Sequence, residues 1–413
     1  TGGIGSVSVV SGTSTVFTAE NPGDGTVVAT EGSVSGSAEL TVNSTTIRVP
    51  LDYNTIQEAV DMAVDGMTII VDQGTYNECI TIDTKNITLS STNPDDISVV
   101  ENTIINGGGN GSTVQISGNS LNSVTVEGFT ITGGNGSDLI SSSLHYGGGV
   151  YAYIATTILR QNVISGNTAH NGGGGIYGYM CDIILEGNTI ANNSSYLEGG
   201  GISVGAGIGY TIQIDMTDNI IKNNSSTDRN SGGIYTWNVD GDWIGNVIEG
   251  NSAATYTGGI DLNYSSPTII NNQIINNTAE DDCGGIGVGS NSFPIIQNNI
   301  ISGNKAFSIN SHGGGLIVGS SGLELTGNTI SNNEASYGAG LYVNDNLILS
   351  NNIIEGNTAN AGGGVYAYTG VELTLNDNDF TNNQEYAIFL SEDASWVDNG
   401  GNSFSGNTPG DIN

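Results

Sequence analysis

Short runs of alternating apolar and polar residues recur along the chain at a nearly fixed interval. Segments such as IYGY at 176–179 and IILE at 183–186 alternate with a period of two, which predicts strands rather than helices. One landmark of the repeat is the first apolar residue after a run of glycines. It recurs at Val150, Ile176, Ile202, Ile234, Ile260, Ile286, Leu316, Leu341 and Val365. These spacings of 24 to 32 residues predict a repeat array.

The second landmark is the motif Asn-x-(Ile/Phe)-x-x-Asn. It begins at Asn162, Asn188, Asn219, Asn246, Asn272, Asn299, Asn328, Asn352, Asn378 and Asn402. An asparagine that points inward at a turn can donate its amide to one neighbouring coil and accept a hydrogen bond from the other. We therefore expect these asparagines to stack as a structural ladder.

Two landmarks with one period predict an all-β fold, the right-handed parallel β-helix. Coils stacked at ~4.8 Å give each short strand a hydrogen-bonded neighbour on both sides. Three regions follow: a β-rich arm over 1–50 that resembles a fragment of a bacterial immunoglobulin-like module, a cap and irregular coils over 51–146, and regular coils of about 24–32 residues over 147–413.

An amphipathic helix is predicted at the start of the solenoid. Asn54 and Gln57 suggest a capping box, and Gly66 suits the residue after the helix. The apolar face comprises Ile56, Ala59, Val60, Ala63 and Val64. Such a helix would cover the open end of the first coil and prevent edge pairing.

The repeat resembles that of polymorphic outer-membrane proteins, a family of surface-exposed β-helix adhesins. The resemblance covers about 147–407 and rests on Gly-Gly-(Gly/Ala)-(Ile/Leu/Val) with (Ile/Phe)-x-x-Asn, as at 164–167 and 380–383. The opening at 52–82 resembles extracellular pectin-lyase-like β-helices, the carbohydrate-binding and sugar-hydrolase group. The first resemblance implies a surface adhesin, whereas the second implies a fold more than a chemistry.

Charge narrows the range of partners. The 413 residues include 6 Lys and Arg against 41 Asp and Glu, a net charge of −35. No basic patch can form, so we expect no nucleic-acid partner, and polyanions would be repelled unless cations bridge them. We expect no cofactor and assign no metal-ligating residue, although the acidic surface could attract Ca²⁺. No apolar run is long enough to span a membrane.

The remaining sequence signals concern modification. Three cysteines cannot all pair, and Cys181 and Cys283, about four coils apart, are predicted not to be joined. Sequons that permit N-glycosylation occur at Asn43, Asn86, Asn110, Asn135, Asn192, Asn193, Asn223, Asn224, Asn263 and Asn276.

Paired carboxylates would be the signature of a glycosidase. The acidic residues considered are Asp240, Asp242, Asp261, Glu280, Asp281 and Asp282. Asp281 and Asp282 precede Cys283 at a turn, which favours a solvated loop, so no catalytic residue is assigned. His312 in NSHGGG resembles the His-Gly of polygalacturonases, but their Asn-x-Asp and Arg-x-Lys elements are missing.

Aromatic residues recur just after the glycines, at positions expected to face outward. They are Tyr151, Tyr153, Tyr177, Tyr179, Tyr235, Trp237, Tyr342, Tyr366 and Tyr368. The strip is interrupted at Ser203, Asp261, Gly287 and Ile317. It is either a platform for sugar rings or a partner, or a stack that stabilises the sheet.

Together these features favour a secreted or cell-surface structural protein. It would be adhesin-like, or a glycosylated subunit of an extracellular fibre or surface layer that assembles head-to-tail through residues 1–50, with itself or glycans as partners. The alternative is a polysaccharide lyase, a glycoside hydrolase or a carbohydrate-binding protein. An enzyme interrupts its repeats to build a cleft, and the two long coils, 202–234 and 286–316, are the conspicuous insertions.

Overall fold

The chain folds into a right-handed parallel β-helix. The computed structural model describes residues 5–8, 16–19, 23–31, 33–42, 44–138, 144–289 and 291–413. Each regular coil contributes, in chain order, one strand to each of three long parallel sheets, which we call sheets A, B and C. Six coils add a two-residue strand to a fourth sheet, D. Neither helix in the described part of the chain is long and apolar enough to cross a bilayer.

The sheets have these strand bounds. Sheet A contains Ile80–Asp83, Val114–Ser117, Val150–Tyr153, Ile176–Tyr179, Ile202–Gly205, Ile234–Trp237, Ile260–Asn263, Ile286–Val288, Leu316–Val318, Leu341–Val343, Val365–Ala367 and Ile388–Leu390. Sheet B contains Thr46–Val49, Thr68–Val71, Thr88–Ser91, Ser123–Glu127, Thr156–Arg160, Ile183–Glu186, Ile212–Thr217, Asp242–Ile244, Thr268–Ile270, Ile295–Gln297, Leu323–Thr326, Leu347–Ser350, Glu372–Asn376 and Ser395–Asp398, with Val239–Asp240 paired beside Ile212–Thr217. Sheet C contains Gly74–Tyr76, Thr103–Asn106, Thr130–Thr132, Val163–Ser165, Thr189–Ala191, Ile220–Lys222, Val247–Glu249, Gln273–Ile275, Ile300–Ser302, Thr329–Ser331, Ile353–Glu355, Asp379–Thr381 and Ser403–Ser405. Sheet D contains Thr168–Ala169, Ser194–Ser195, Ser225–Ser226, Ser252–Ala253, Thr278–Ala279 and Lys305–Ala306.

The N-terminal residues form antiparallel hairpins. Gly5–Ser8 pairs with Val16–Ala19, and Gly23–Glu31 pairs with Val34–Val42. The next strand, Thr46–Val49, already pairs in parallel with Thr68–Val71 of sheet B. The solenoid therefore begins before the predicted boundary at residue 50. A third hairpin, Ser137–Asp138 with His145–Tyr146, extends from an early coil.

The predicted cap is the helix Ile56–Met62, and its capping box lies one residue later than expected. The Thr55 hydroxyl accepts from the Glu58 amide at 3.1 Å, and the Glu58 carboxylate accepts from the Thr55 amide at 3.3 Å. Asn54 and Gln57 are thus not the box. Ile56, Ala59 and Val60 are buried, whereas Val64 is exposed because the helix ends before it. A second short helix spans Ile97–Asn102.

Inward apolar residues stack coil upon coil to form one continuous core. In sheet A, Ile176, Ile202, Ile234 and Ile260 are aligned in register and completely buried. Trp243 replaces a smaller residue in sheet B, and its indole N–H donates to the Ile214 carbonyl at 2.9 Å. Because equivalent positions of successive coils carry similar apolar side chains, each coil buries the apolar face of its neighbour.

The motif asparagines form a buried ladder between sheets B and C. The side-chain oxygen of Asn219 accepts from both the backbone N–H and the side-chain amide of Asn188, at 2.9 and 3.0 Å. The Asn188 amide also donates to the Leu159 carbonyl at 2.7 Å. This pattern runs from Asn162 to Asn402. Each amide thus satisfies turn backbone groups that would otherwise be buried without a partner.

A second ladder of the same geometry was not predicted. It consists of the last asparagine of each motif: Asn167, Asn193, Asn224, Asn251, Asn277, Asn304, Asn333, Asn357, Asn383 and Asn407. Its residues follow those of the first ladder by five positions and lie at the next corner, between sheets C and D. The sequence signal for this second ladder was that every motif ends with an asparagine as well as beginning with one.

The second ladder corrects two of the glycosylation predictions. Asn193 and Asn224 are 1% and 0% exposed, and their amides donate to Ile164 and Ile190 carbonyls, so neither can carry a glycan in the folded chain. Asn43 lies outside the described residues. The other sequons, which are exposed or half-buried, stay predictions: Asn86, Asn110, Asn135, Asn192, Asn223, Asn263 and Asn276.

The glycine runs mark the corner where the backbones of neighbouring coils approach most closely. A Cβ at Gly200 would clash with the Ser225 carbonyl of the next coil. Only glycine fits there, which is why each coil re-enters sheet A through glycines. The three cysteines, Cys79, Cys181 and Cys283, are free thiols, and the latter two are buried.

Replacing Asn272 with leucine should destabilise the chain by about 1–3 kcal/mol. The Asn246 backbone N–H and the Trp243 carbonyl would lose their partners at 2.8 Å while still buried. Chemical denaturation measures the loss. Gln273→Leu, at the exposed neighbouring position, is the matched control. Equal stability of the two variants would show that the ladder amides contribute nothing.

Candidate active-site cleft

The outward aromatic residues of sheet A mostly cover one another. Tyr151 and Tyr177 stack with ring centroids 5.8 Å apart, and Tyr153 and Tyr179 with centroids 6.3 Å apart. Tyr151, Tyr177 and Tyr342 are only 4%, 9% and 8% exposed. At these three positions the structure fits the second of the two alternatives, a stack that stabilises the sheet, because neighbouring rings cover the tyrosines. The other six predicted aromatics are half-buried or exposed: Tyr153, Tyr179, Tyr235, Trp237, Tyr366 and Tyr368.

The interruptions of the aromatic strip open a cleft. The outward row runs in register through Tyr177, Ser203, Tyr235, Asp261, Gly287, Ile317 and Tyr342. Between Tyr235 and Ile317, where rings are missing, the surface encloses about 370 Å³. This is the size of site that takes a small ligand or one or two sugar units.

A second row of side chains forms the other wall of the cleft. It occupies the repeat position four residues before each sheet A landmark, at the corner preceding the glycines. In the cleft this row contributes Glu198, Asn230, Tyr256 and Asp282. Backbone hydrogen bonds between coils fix the corner, as when Glu198 N–H donates to the Asn171 carbonyl at 3.1 Å. The row brings carboxylates that are distant in sequence to one side of the site.

Asp261 lies on the floor of the cleft. Its Oδ1 accepts a hydrogen bond from the Asn263 side-chain amide at 3.0 Å. On the next coil, a Cβ at Gly287 would be 2.7 Å from the Thr257 hydroxyl and 3.8 Å from Asp261 Oδ1. The absence of a side chain at Gly287 therefore keeps space open beside the Asp261 carboxylate.

Burial raises the pKa values of two carboxyl groups in the cleft. The pKa of Glu198 rises to about 7 because its carboxylate is poorly solvated. The pKa of Asp261 also rises to about 7, through burial and then through the charges of Asp282 and Glu198, against the hydrogen bond from Asn263. The pKa of Tyr235 rises through burial and the same two carboxylates, Glu198 and Asp261. With pKa values raised to about 7, Glu198 and Asp261 are each partly protonated near neutral pH, mainly because both are buried.

His312 is linked to the cleft through Asp282. Its Nδ1 lies 3.5 Å from Asp282 Oδ1, and its ring lies 4.4 Å from the Tyr342 ring centroid. His312 occupies the same repeat position as Glu198 and Asp282. His312 is therefore one more residue of the second row, which accounts for its position just before the glycines.

The cleft contains two of the six acidic residues considered from the sequence. Asp261 and Asp282 line it, whereas Asp240 and Asp242 lie along sheet B, and Glu280 and Asp281 are exposed. The solvated-loop interpretation suits Asp281, whereas the side chain of Asp282 is 40% exposed and also lines the cleft. Glu198 was missed, although its shared repeat position with Asp282 was a usable signal.

Comparison with protein families gives one match. The family described as "Right handed beta helix region" matches residues 147–315 and 284–408, which together cover more than half of the chain. A comparison with curated proteins finds no significant match.

Several solved structures are similar to the chain at low identity. The Yersinia enterocolitica family 28 exopolygalacturonase is 12% identical, with 96% of this chain and 85% of that one covered and a TM-score of 0.41. The periplasmic alginate epimerase AlgG is 14% identical, with 89% and 85% covered and a TM-score of 0.36. The Aspergillus niger pectin methylesterase is 13% identical, with 82% and 86% covered and a TM-score of 0.28. At TM-scores below 0.5, these similarities support no statement about the chemistry of this chain. The stacked coils, the paired asparagine ladders and the family match lead to one conclusion: the chain belongs to the right-handed β-helix family.

Proposed function

We propose that this chain is a polysaccharide-active enzyme, a glycoside hydrolase whose acid and base are Glu198 and Asp261. One observation supports the proposal above the others: two carboxyl groups with pKa values of about 7 lie in the same cleft. Buried carboxylates reduce stability, and pairs with shifted pKa values are a frequent signature of acid–base catalysis.

The two carboxyl groups suit different steps of hydrolysis. Glu198, whose pKa is raised by burial alone, would give its proton to the glycosidic oxygen as the C1–O bond breaks. Asp261, whose ionised form accepts the Asn263 hydrogen bond, would take a proton from the water that attacks C1. One water is consumed, and both residues exchange their protons with solvent before the next cycle.

Hydrolysis fits the charges of the cleft better than elimination does. A lyase removes the proton next to a uronate carboxylate, and that carboxylate must be neutralised by a nearby cation. Here Glu198, Asp261 and Asp282 line the site, and the one Lys or Arg among the described lining residues is Arg229, whose side chain is mostly exposed and near Asp228. A uronate would meet repulsion rather than neutralisation.

The cleft also favours an enzyme over the adhesin-like structural protein that the repeats suggested. Buried carboxylates in a gap of the aromatic strip reduce stability, so a purely structural rod would gain nothing from them. Head-to-tail assembly through residues 1–50, an extracellular or surface location, N-glycosylation at the exposed sequons and Ca²⁺ binding stay predictions.

Glu198→Gln and Asp261→Asn should each lower the hydrolysis rate by about 10²–10⁴-fold, because each removes one proton-transfer group. A reducing-end assay against soluble β-glucan, xylan, mannan and chitin oligomers measures the rate. Glu355→Gln, an exposed carboxylate on sheet C, is the control and should retain the rate. Wild-type rates in both cleft variants would contradict the proposal, as would the absence of product from every substrate.

The same variants should become more stable than the wild type at high pH. A carboxyl whose pKa is raised on folding contributes stability that is present below pH ~4 and is lost as pH rises through about 7. Because both groups keep some access to solvent, we expect a gain of about 1–2 kcal/mol at pH 8.5 and little change at pH 4. Thermal melts of wild type and variants at the two pH values test this. A gain of equal size at both would show that the two carboxyls titrate normally.

A further inference from the structure

A narrow slot adjoins the cleft on its N-terminal side. Tyr177 and Tyr179 line one side and Tyr235 and Trp237 the other, and the slot encloses about 310 Å³. Tyr179 and Trp237 are half-buried and form the accessible part of these walls, whereas Tyr177 is 9% exposed. The coil between the walls contributes no ring: Ser203 is in register with Tyr177 and Tyr235, and Gly205 with Tyr179 and Trp237. The slot exists because one coil of the aromatic strip lacks both of its rings.

The width of the slot suits a sugar ring. Its walls are two coils apart, or ~9.6 Å at the strand spacing of ~4.8 Å. A ring at the centre would lie ~4.8 Å from each wall. This separation is wider than the contact distance between two stacked flat rings, and it leaves room for a puckered pyranose. The rings of Tyr153 and Tyr179 are parallel to within 2°, so the wall at Tyr179 is built from stacked rings.

Two glycines lie close to the aromatic residues of the slot. A Cβ at Gly205 would lie 2.9 Å from the Trp237 carbonyl oxygen and 3.1 Å from Trp237 Cβ. A Cβ at Gly207 would lie 3.2 Å from the Tyr179 hydroxyl. The start of the insertion in the first long coil, Ala206–Gly207, therefore lies beside Tyr179, and Ala206 lines the slot.

The charges of the slot select against acidic sugars. Of the described residues that line it, none is positively charged, and the one ionisable carboxyl is Glu198 at the end shared with the cleft. A uronate ring would bring its carboxylate next to Glu198 without any cation to compensate. A neutral ring can instead stack its C–H faces on the aromatic walls and direct a hydroxyl to Glu198.

We propose that the slot between Tyr179 and Trp237 is a subsite for one uncharged pyranose ring of a glycan. The bound ring would be next to the glycosidic linkage that reaches Glu198. The path of the glycan from the slot to the cleft therefore rests on the proposed function. Binding in the slot does not depend on it.

Isothermal titration calorimetry on the Asp261→Asn background tests the subsite without turnover. The probes are hexasaccharides of β-1,4-glucose, xylose, mannose and N-acetylglucosamine, compared with hexagalacturonate and hexamannuronate in EDTA. Ser203→Tyr inserts into the slot the same ring that the flanking coils carry, and Trp237→Ala removes one wall. Phe389→Ala, a stacked ring at the C-terminal end of the same outward row, is the matched control. Unchanged thermal melts show that each variant folds.

We expect at least one neutral hexasaccharide to bind, with an affinity lowered tenfold or more by Ser203→Tyr and by Trp237→Ala but not by Phe389→Ala. Binding that survives Ser203→Tyr would overturn the subsite, as would tighter binding of either uronate or no binding of any neutral probe. Neutral sugars that bind in the slot but are never cleaved by the wild type would refute the hydrolase and leave the subsite intact. If a variant with a filled slot cleaved the glycan as fast as the wild type, the subsite would be refuted and the hydrolase would stand.

Discussion

The hydrogen bond between asparagines of successive coils is the constraint on which the rest of the structure depends. One side-chain oxygen accepts both the backbone N–H and the side-chain amide of the preceding asparagine, so a coil cannot slip without breaking both bonds. In the second ladder, Asn193 and Asn224 are 31 residues apart and Asn251 and Asn277 are 26 apart, yet the side-chain bonds measure 3.1 and 3.0 Å. The coils therefore place their extra residues in loops, and the register of the sheets is unchanged.

A fixed register turns a local change of residue type into a shaped site. The ordinary outward residue next to the glycines is a tyrosine that stacks on its neighbour, as Tyr342 and Tyr366 do with ring centroids 5.2 Å apart. Where Ser203, Asp261 and Gly287 replace that ring, the flanking coils do not collapse inward, because the ladders and the core hold them. The missing rings become the slot, which has aromatic residues on both sides, and the cleft, which lies between Tyr235 and Ile317. Burying Glu198 and Asp261 there lowers stability, and the regular coils on both sides compensate for that loss.

The period of the sequence was sufficient to predict the fold, because each coil obeys the same local rules. It predicted the inward isoleucines and the first asparagine ladder as well. The period could not predict which side chains of different coils pack together. Tyr177 is outward in its own strand, yet the rings of Tyr146 and Tyr151 pack against it and it is buried. Glu198 and Asp261 are 63 positions apart in the sequence, and they come to line one cleft only when the insertion in the coil 202–234 is assigned to a loop.

The most direct test is a crystal structure of the Asp261→Asn variant with a neutral hexasaccharide. The account predicts a sugar chain along sheet A, with one ring between Tyr179 and Trp237 and the next linkage beside Glu198. A chain bound elsewhere, such as on Tyr366 and Tyr368, would contradict it. So would a slot filled by the protein's own side chains.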